Sequence, residues 1–148
     1  MLNIHGTALL AGDRGLLIVG PSGAGKTTLA LALIERFSLH GKFSRLVGDD
    51  QLFVESRAAR LVAHAPSTIA GLAEIAGLGP RALPHEPAAI IDLCIRMVPA
   101  ADAQRFQEPA REDIGGCRVP AIVVAERNVV AALPVVVAGL RNLSFRPD

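Results

Sequence analysis

Short apolar runs, broken by polar or glycine-rich stretches, pattern most of the chain. Ile4 to Leu10 and Gly15 to Val19 read as two strands, with Ala11-Gly12-Asp13-Arg14 as the turn of a hairpin. Thr28 to Phe37 predicts a helix, because Leu29, Leu33 and Phe37 fall on one face and its Ala, Leu and Glu residues favour that state. Arg45 to Asp50 predicts a short strand that ends in two acids. Gln51 to Glu55 and Arg60 to Ala63 predict a second hairpin around Arg57-Ala58-Ala59. Pro66 to Leu72 reads as one helical turn and Gly77-Leu78-Gly79-Pro80 as loop. Ala89 to Val98 predicts a strand, Pro99 to Arg118 a polar irregular segment, and Ala121 to Ala125 another strand. Val129 to Asn142 fits either a helix kinked at Pro134 or a strand, since its β-branched residues suit both. Strands outnumber helices, and several pair as hairpins rather than as repeated βαβ units. The expected class is α/β, with one helix packed on a mixed sheet.

The break between the Gly15–Val19 strand and the following helix carries chemistry. It reads "GPSGAGKTT", with Gly20, four residues, then Gly25, Lys26 and Thr27. This is the phosphate-binding P-loop spacing, in the strand–loop–helix context that gives it meaning. Gly20, Gly23 and Gly25 let the backbone turn its N–H groups towards an anion, while Pro21, Ser22 and Ala24 fill the variable positions. Lys26 brings a compact positive charge to the β- and γ-phosphates, and Thr27 offers a hydroxyl to Mg²⁺. The start of the helix adds the positive end of its dipole. ATP and Mg²⁺ are the expected ligands.

Composition narrows the class further. The 148 residues suit a single domain over 1–148, and with no Trp or Tyr and only five Phe its core must be aliphatic. A net charge of +1 and few aromatic rings argue against a nucleic-acid partner. Cys94 and Cys117 lack metal-ligand spacing and read as reduced core thiols. The most apolar stretch, Val129 to Leu140, is too short to span a bilayer and is interrupted by Pro134. With no leader pattern at the start, the expectation is a soluble cytoplasmic protein without a membrane partner.

A P-loop needs a carboxylate for the metal and a group that aligns the nucleophile. Asp49-Asp50, at the end of a predicted strand, supplies two adjacent carboxylates that alternation sends in different directions. Asp92 also follows an apolar run, but its mid-strand position fits a half-exposed strand residue better. Glu74, beside the Gly77/Gly79 loop, is a third acid of interest.

These pieces, in this order, resemble the catalytic domain of the HPr kinase/phosphorylase family. "HGTALL" from His5 is similar to the family's segment before the P-loop, and "GPSGAGKTTLALALIERF" to its P-loop and helix. "RLVGDD" resembles its aspartate pair, "AEIAGLGP" from Ala73 its Leu-Glu-Ile-Arg-Gly-Leu-Gly segment, and "VPAIVVAERN" from Val119 its late strand and Gly-Arg-Asn turn. The resemblance implies an ATP-dependent kinase for a serine of HPr, a small phosphocarrier of the sugar phosphotransferase system. It also implies phosphorolysis of the product to pyrophosphate, a nucleotide site similar to that of phosphoenolpyruvate carboxykinase, and a hexameric homo-oligomer. By the same resemblance Lys26 holds phosphate, Thr27 and Glu74 bind Mg²⁺, and His5 lies near the transferred phosphate. The acid/base aspartate is Asp50 or Asp49, with Asp50 favoured. Arg105, or Arg111 in its place, stabilises the phosphoryl group.

The chain departs from the pattern in places. Ala76 stands where the family has arginine, and alanine cannot fork onto phosphate as a guanidinium does. The late segment is shortened, with Ala125-Glu126 leading straight to Arg127-Asn128. The late region is linked to phosphorolysis in the family, so the resemblance supports the kinase direction better than the reverse, while loss of the arginine at Ala76 slows transfer unless another arginine substitutes. The chain resembles the short, catalytic-domain-only form. A nucleotide-binding regulator with weak transfer and a small-molecule P-loop kinase are the alternative readings. No Asn-Lys-x-Asp motif marks a GTPase.

Overall fold

The first break in the chain falls at Gly6, where the sequence suggested continuous strand. In the computed structural model, which describes residues 1–143, β1 (Leu2–His5) pairs antiparallel with β5 (Gln51–Arg57), whereas β2 (Thr7–Ala11) pairs with β3 (Arg14–Val19) and β4 (Ser44–Gly48). A Cβ at Gly6 would sit 2.9 Å from the Ile18 carbonyl oxygen, so a residue without one suits the point where the chain changes partners.

Among the described residues a nine-stranded mixed sheet runs in the order β1, β5, β6 (Arg60–His64), β9 (Ala89–Val98), β3, β2, β4, with β11 (Cys117–Ala125) on β9 and β10 (Ala110–Ile114) on β11. Its long member is β9 (Ala89–Val98). The start of β9 pairs antiparallel with β6 (Arg60–His64), and its later residues pair parallel with β3 and with β11 (Cys117–Ala125). The β5–β6 hairpin turns on Ala58 and Ala59, both in the left-handed region at φ 50 and 63. Among the described residues a second, two-stranded sheet joins β7 (Leu72–Ile75) to β8 (Gly79–Ala82). Gly79-Pro80 is therefore strand, not loop as the glycines suggested.

Alternation along β3 and β9 divides the core in two. Leu16, Ile18, Leu93, Ile95 and Met97 face the helices, where they meet Leu29 and Leu33 of α1 (Lys26–Leu39) and Ala132 and Val136 of α2 (Val129–Arg141). Leu17, Val19 and Cys94 face the other way, against Leu52, Val54 and Leu61. Both cysteines are buried free thiols. Burial of Ala132 and Val136 settles α2 as a helix despite its β-branched residues. Asn128 caps it by accepting from the Ala131 N–H at 3.2 Å, and Pro134 lies on the exposed side.

The segment expected to be irregular also holds β10 (Ala110–Ile114), joined to β11 through Gly115-Gly116 at φ 55 and 84. Such glycines fit the tight two-residue hairpin turn. Before β10, the side-chain amide of Gln107 donates to the Val123 carbonyl and accepts from the Val123 N–H, both at 2.8 Å. No helix among the described residues is long and apolar enough to cross a membrane.

Candidate phosphate-transfer site

The glycine loop leaves β3 at Val19 and enters α1 at Lys26. Gly23 and Gly25 take left-handed φ values of 79 and 96, and Gly25 stands as the helix cap. The Ala24 N–H bonds back to the Pro21 carbonyl at 3.1 Å, closing the turn. Lys26 is only 7% exposed. Its ammonium is held at 3.0 Å and 2.9 Å by the carbonyls of Gly20 and Pro21, so the charge stays folded against the loop.

The two aspartates at the end of β4 have different surroundings. Asp49 is 6% exposed, and one carboxylate oxygen accepts from the hydroxyls of Thr7 and Thr27, each at 2.8 Å. Its other oxygen accepts from the Glu74 backbone N–H at 3.2 Å, which ties β7 to the end of β4. Asp50 turns outward, with φ at 71 and a side chain 68% exposed. Its carboxylate meets His5 Nε2 at 2.7 Å, and its carbonyl accepts from the Gly6 N–H at 3.1 Å. The break at Gly6 thus places His5 beside Asp50 and Thr7 beside Asp49. A hydroxyl and a buried carboxylate beside a turn rich in N–H groups form a donor set that fits a hard cation and a polyphosphate. Among the described residues no group of three or more His, Cys, Asp and Glu side chains gathers as a metal cage. Magnesium commonly completes its shell with water and phosphate oxygens.

Beside His5, a cavity of about 320 Å³ opens over Val19, Arg96 and Glu112. Arg96 forms an ion pair with Glu112, and the Cys94 thiol donates to the same carboxylate at 3.7 Å. Burial and the neighbouring Glu112 charge push the Cys94 thiol up to about 12, opposed only in part by Arg96.

The other sequence candidates fall in different places. Glu74 lies on β7 with its backbone on Asp49 and its side chain exposed. Asp92 is structural: it accepts from the Gly15 N–H at 2.9 Å and faces Arg14. Arg105 is exposed in a separate cleft of about 1510 Å³ lined by β11 and α2, which no residue of the glycine loop or aspartate pair borders. Arg111 lines the same cleft. Arg127, by contrast, touches the loop. Its Nε donates to the Gly23 carbonyl at 3.1 Å and its backbone N–H to the Ala24 carbonyl at 2.8 Å. In the sequence Arg127 stands only in the turn after the late strand, since nothing local brings the far end of the chain to the loop.

Comparison with known proteins identifies the family and the fold. The family model described as HPr Serine kinase C-terminal domain matches residues 1–83. HPr kinase/phosphorylase of Clostridium beijerinckii is 36% identical over 76 residues, covering 51% of this chain and 23% of that protein. The protein of the same name from Bordetella avium is 40% identical over 77 residues, again 51% and 23%. The chain thus spans about a quarter of the length of the curated relatives it matches. The solved Hpr(Ser) kinase/phosphatase from Coxiella burnetii superposes with a TM-score of 0.78 at 26% identity, over 95% of this chain and 97% of that one. That likeness extends beyond residue 83 into the strands and helix of the second half.

Proposed function

The chain belongs to the HPr serine kinase C-terminal domain family, and on that premise we propose that it transfers the γ-phosphoryl group of ATP to a serine of HPr. One observation carries the reading most directly. The glycine loop, Thr27 and a fixed Asp49 stand next to an outward-facing Asp50 paired with His5.

In this reading the loop from Gly20 to Thr27 holds the triphosphate, and Lys26 neutralises part of its charge. Thr27 and Asp49 would hold Mg²⁺, with Glu74 at the rim; the ion supplies charge neutralisation at the phosphoryl oxygens. Asp50, oriented by His5, accepts the proton of the serine hydroxyl. The serine oxygen then forms its bond to the γ-phosphorus as the bond to ADP breaks. Positioning and charge supply most of the rate, since little covalent work falls to the protein. In reverse, inorganic phosphate would attack phosphoserine, release pyrophosphate and regain the serine. The forward reaction has the firmer support, because the turn before Arg127 is short in a region that the family resemblance links to phosphorolysis. A site of the phosphoenolpyruvate carboxykinase type, a cytoplasmic setting, a hexamer and a role for Arg105 complete the reading. The site type, the hexamer and the Arg105 role rest on the resemblance alone, and the cytoplasmic setting on the sequence expectation.

The test is transfer of labelled γ-phosphate from ATP to purified HPr, with HPr carrying Ser→Ala as control. Serine-dependent labelling, followed by pyrophosphate release on adding phosphate, is expected for both directions. Bound ATP without labelled HPr refutes the kinase reading and favours the regulator.

A further inference from the structure

Three consecutive residues join β11 to α2, and each makes a different contact. The Glu126 N–H donates to the Val98 carbonyl at 2.7 Å, which fixes the end of β11 to the end of β9. Asn128 caps α2. Arg127 between them takes φ 56, a left-handed conformation that is unfavourable for arginine, unlike glycine or asparagine. Glycine would meet that backbone demand more easily, yet arginine occupies the position.

The conformation turns Arg127 onto a segment 104 positions earlier in the chain. It engages two successive loop carbonyls, Gly23 through Nε and Ala24 through the backbone N–H. In a trans peptide the carbonyl and the following N–H point in opposite directions. Holding the Ala24 carbonyl therefore turns the Gly25 N–H away from Arg127. A Cβ built on Gly23 would lie 3.9 Å from Arg127 Nη2, so the guanidinium lies close against the loop. Arg127 itself is exposed, so these contacts do not come from burial in the core.

We propose that Arg127 is a positioning residue for nucleotide binding: it clamps the Gly23 and Ala24 carbonyls and so sets the loop geometry that receives phosphate. This rests on the nucleotide reading of the loop given above. It ties ATP affinity to the β11–α2 junction, and linkage requires bound ATP to steady that junction in return.

The experiment measures MgATP affinity by calorimetry and melting temperature for wild type, Arg127→Ala, Arg127→Gly and Arg127→Lys, with Lys26→Ala as a loop control. Arg127→Ala is expected to weaken ATP about tenfold or more, the effect of losing a charge-assisted hydrogen bond. Arg127→Gly keeps the backbone N–H and relieves the left-handed strain. It should melt no lower than wild type and still lose affinity. Arg127→Lys should recover part of the loss. In transfer assays the KM for ATP should rise by more than kcat falls. Wild-type affinity in both Arg127→Ala and Arg127→Gly overturns the clamp while leaving the nucleotide reading standing. Loss of affinity that only follows a fall in melting temperature across the set also overturns it. Failure of wild type to bind MgATP overturns both readings.

Discussion

Replacing each aspartate of the pair by asparagine should separate stability from chemistry. Asp49 is buried and accepts three hydrogen bonds, from Thr7, Thr27 and the Glu74 N–H. Asp49→Asn keeps the size but leaves one side with an amide NH₂ where an acceptor stood. If the oxygen stays with the hydroxyls, the Glu74 N–H faces another donor. One lost charge-assisted bond plus an unsatisfied donor costs roughly 2–4 kcal/mol. For a domain of this size that lowers the melting temperature by about 6–12 °C. Asp50 differs, with a side chain 68% exposed and a partner, His5, that is 53% exposed. An exposed ion pair is worth about 0–1 kcal/mol after screening by water. Asparagine also tolerates the φ of 71 that Asp50 adopts. Asp50→Asn should therefore melt within about 3 °C of wild type, yet lose roughly 10²–10⁴ in transfer rate, the usual contribution of a general base. Thermal melts and single-turnover transfer to HPr on the same preparations check both halves. Wild-type turnover in Asp50→Asn, or an Asp49→Asn protein that melts like wild type, refutes the division of roles.

Lys26→Ala should bring phosphate transfer below detection while the fold persists, because alanine suits the first turn of α1; undiminished transfer counts against the mechanism. Cys94 supplies a pH signature. Its thiol rises from an ordinary 9.0 to about 12 in the folded chain, so above pH 9 the unfolded state loses a proton that the folded state keeps. Stability should fall between pH 9 and 12, and by pH 10.5 wild type should have lost about 2 kcal/mol more than Cys94→Ala in urea melts. The Ala58-Ala59 turn holds two left-handed alanines. Asn-Gly at those positions should stabilise the protein by about 1 kcal/mol, read as a rise of about 3 °C in melting temperature.

The sequence made the loop, α1, the β5–β6 hairpin and the aspartate pair legible because each has a local cause: glycine spacing, helical periodicity, or a strand ending in acids. Alternation implied that the two carboxylates diverge, but which of Asp49 and Asp50 turns inward was not legible from the residues alone. It depends on Thr7 and on Glu74, which reach Asp49 from separate strands. The helical state of α2 was also hidden, since its β-branched residues favour neither state until Ala132 and Val136 are buried. β10 could have been found. Gly115-Gly116 is a hairpin signal, but the polar residues around it, exposed on β10, looked like loop. Arg127 was beyond local reading because only the closed sheet carries it to Gly23.

Gln107 has a consequence for how the protein behaves in a crowded solution. A strand's N–H and C=O at one residue face the same side, so the amide on Val123 occupies the position of a neighbouring strand. Removing that amide deletes no core contact, and the monomer should keep its thermal stability. It would instead uncover a hydrogen-bonding edge at Val123 for another chain to join. The defect would then show as concentration-dependent association, in a protein that still melts normally when dilute.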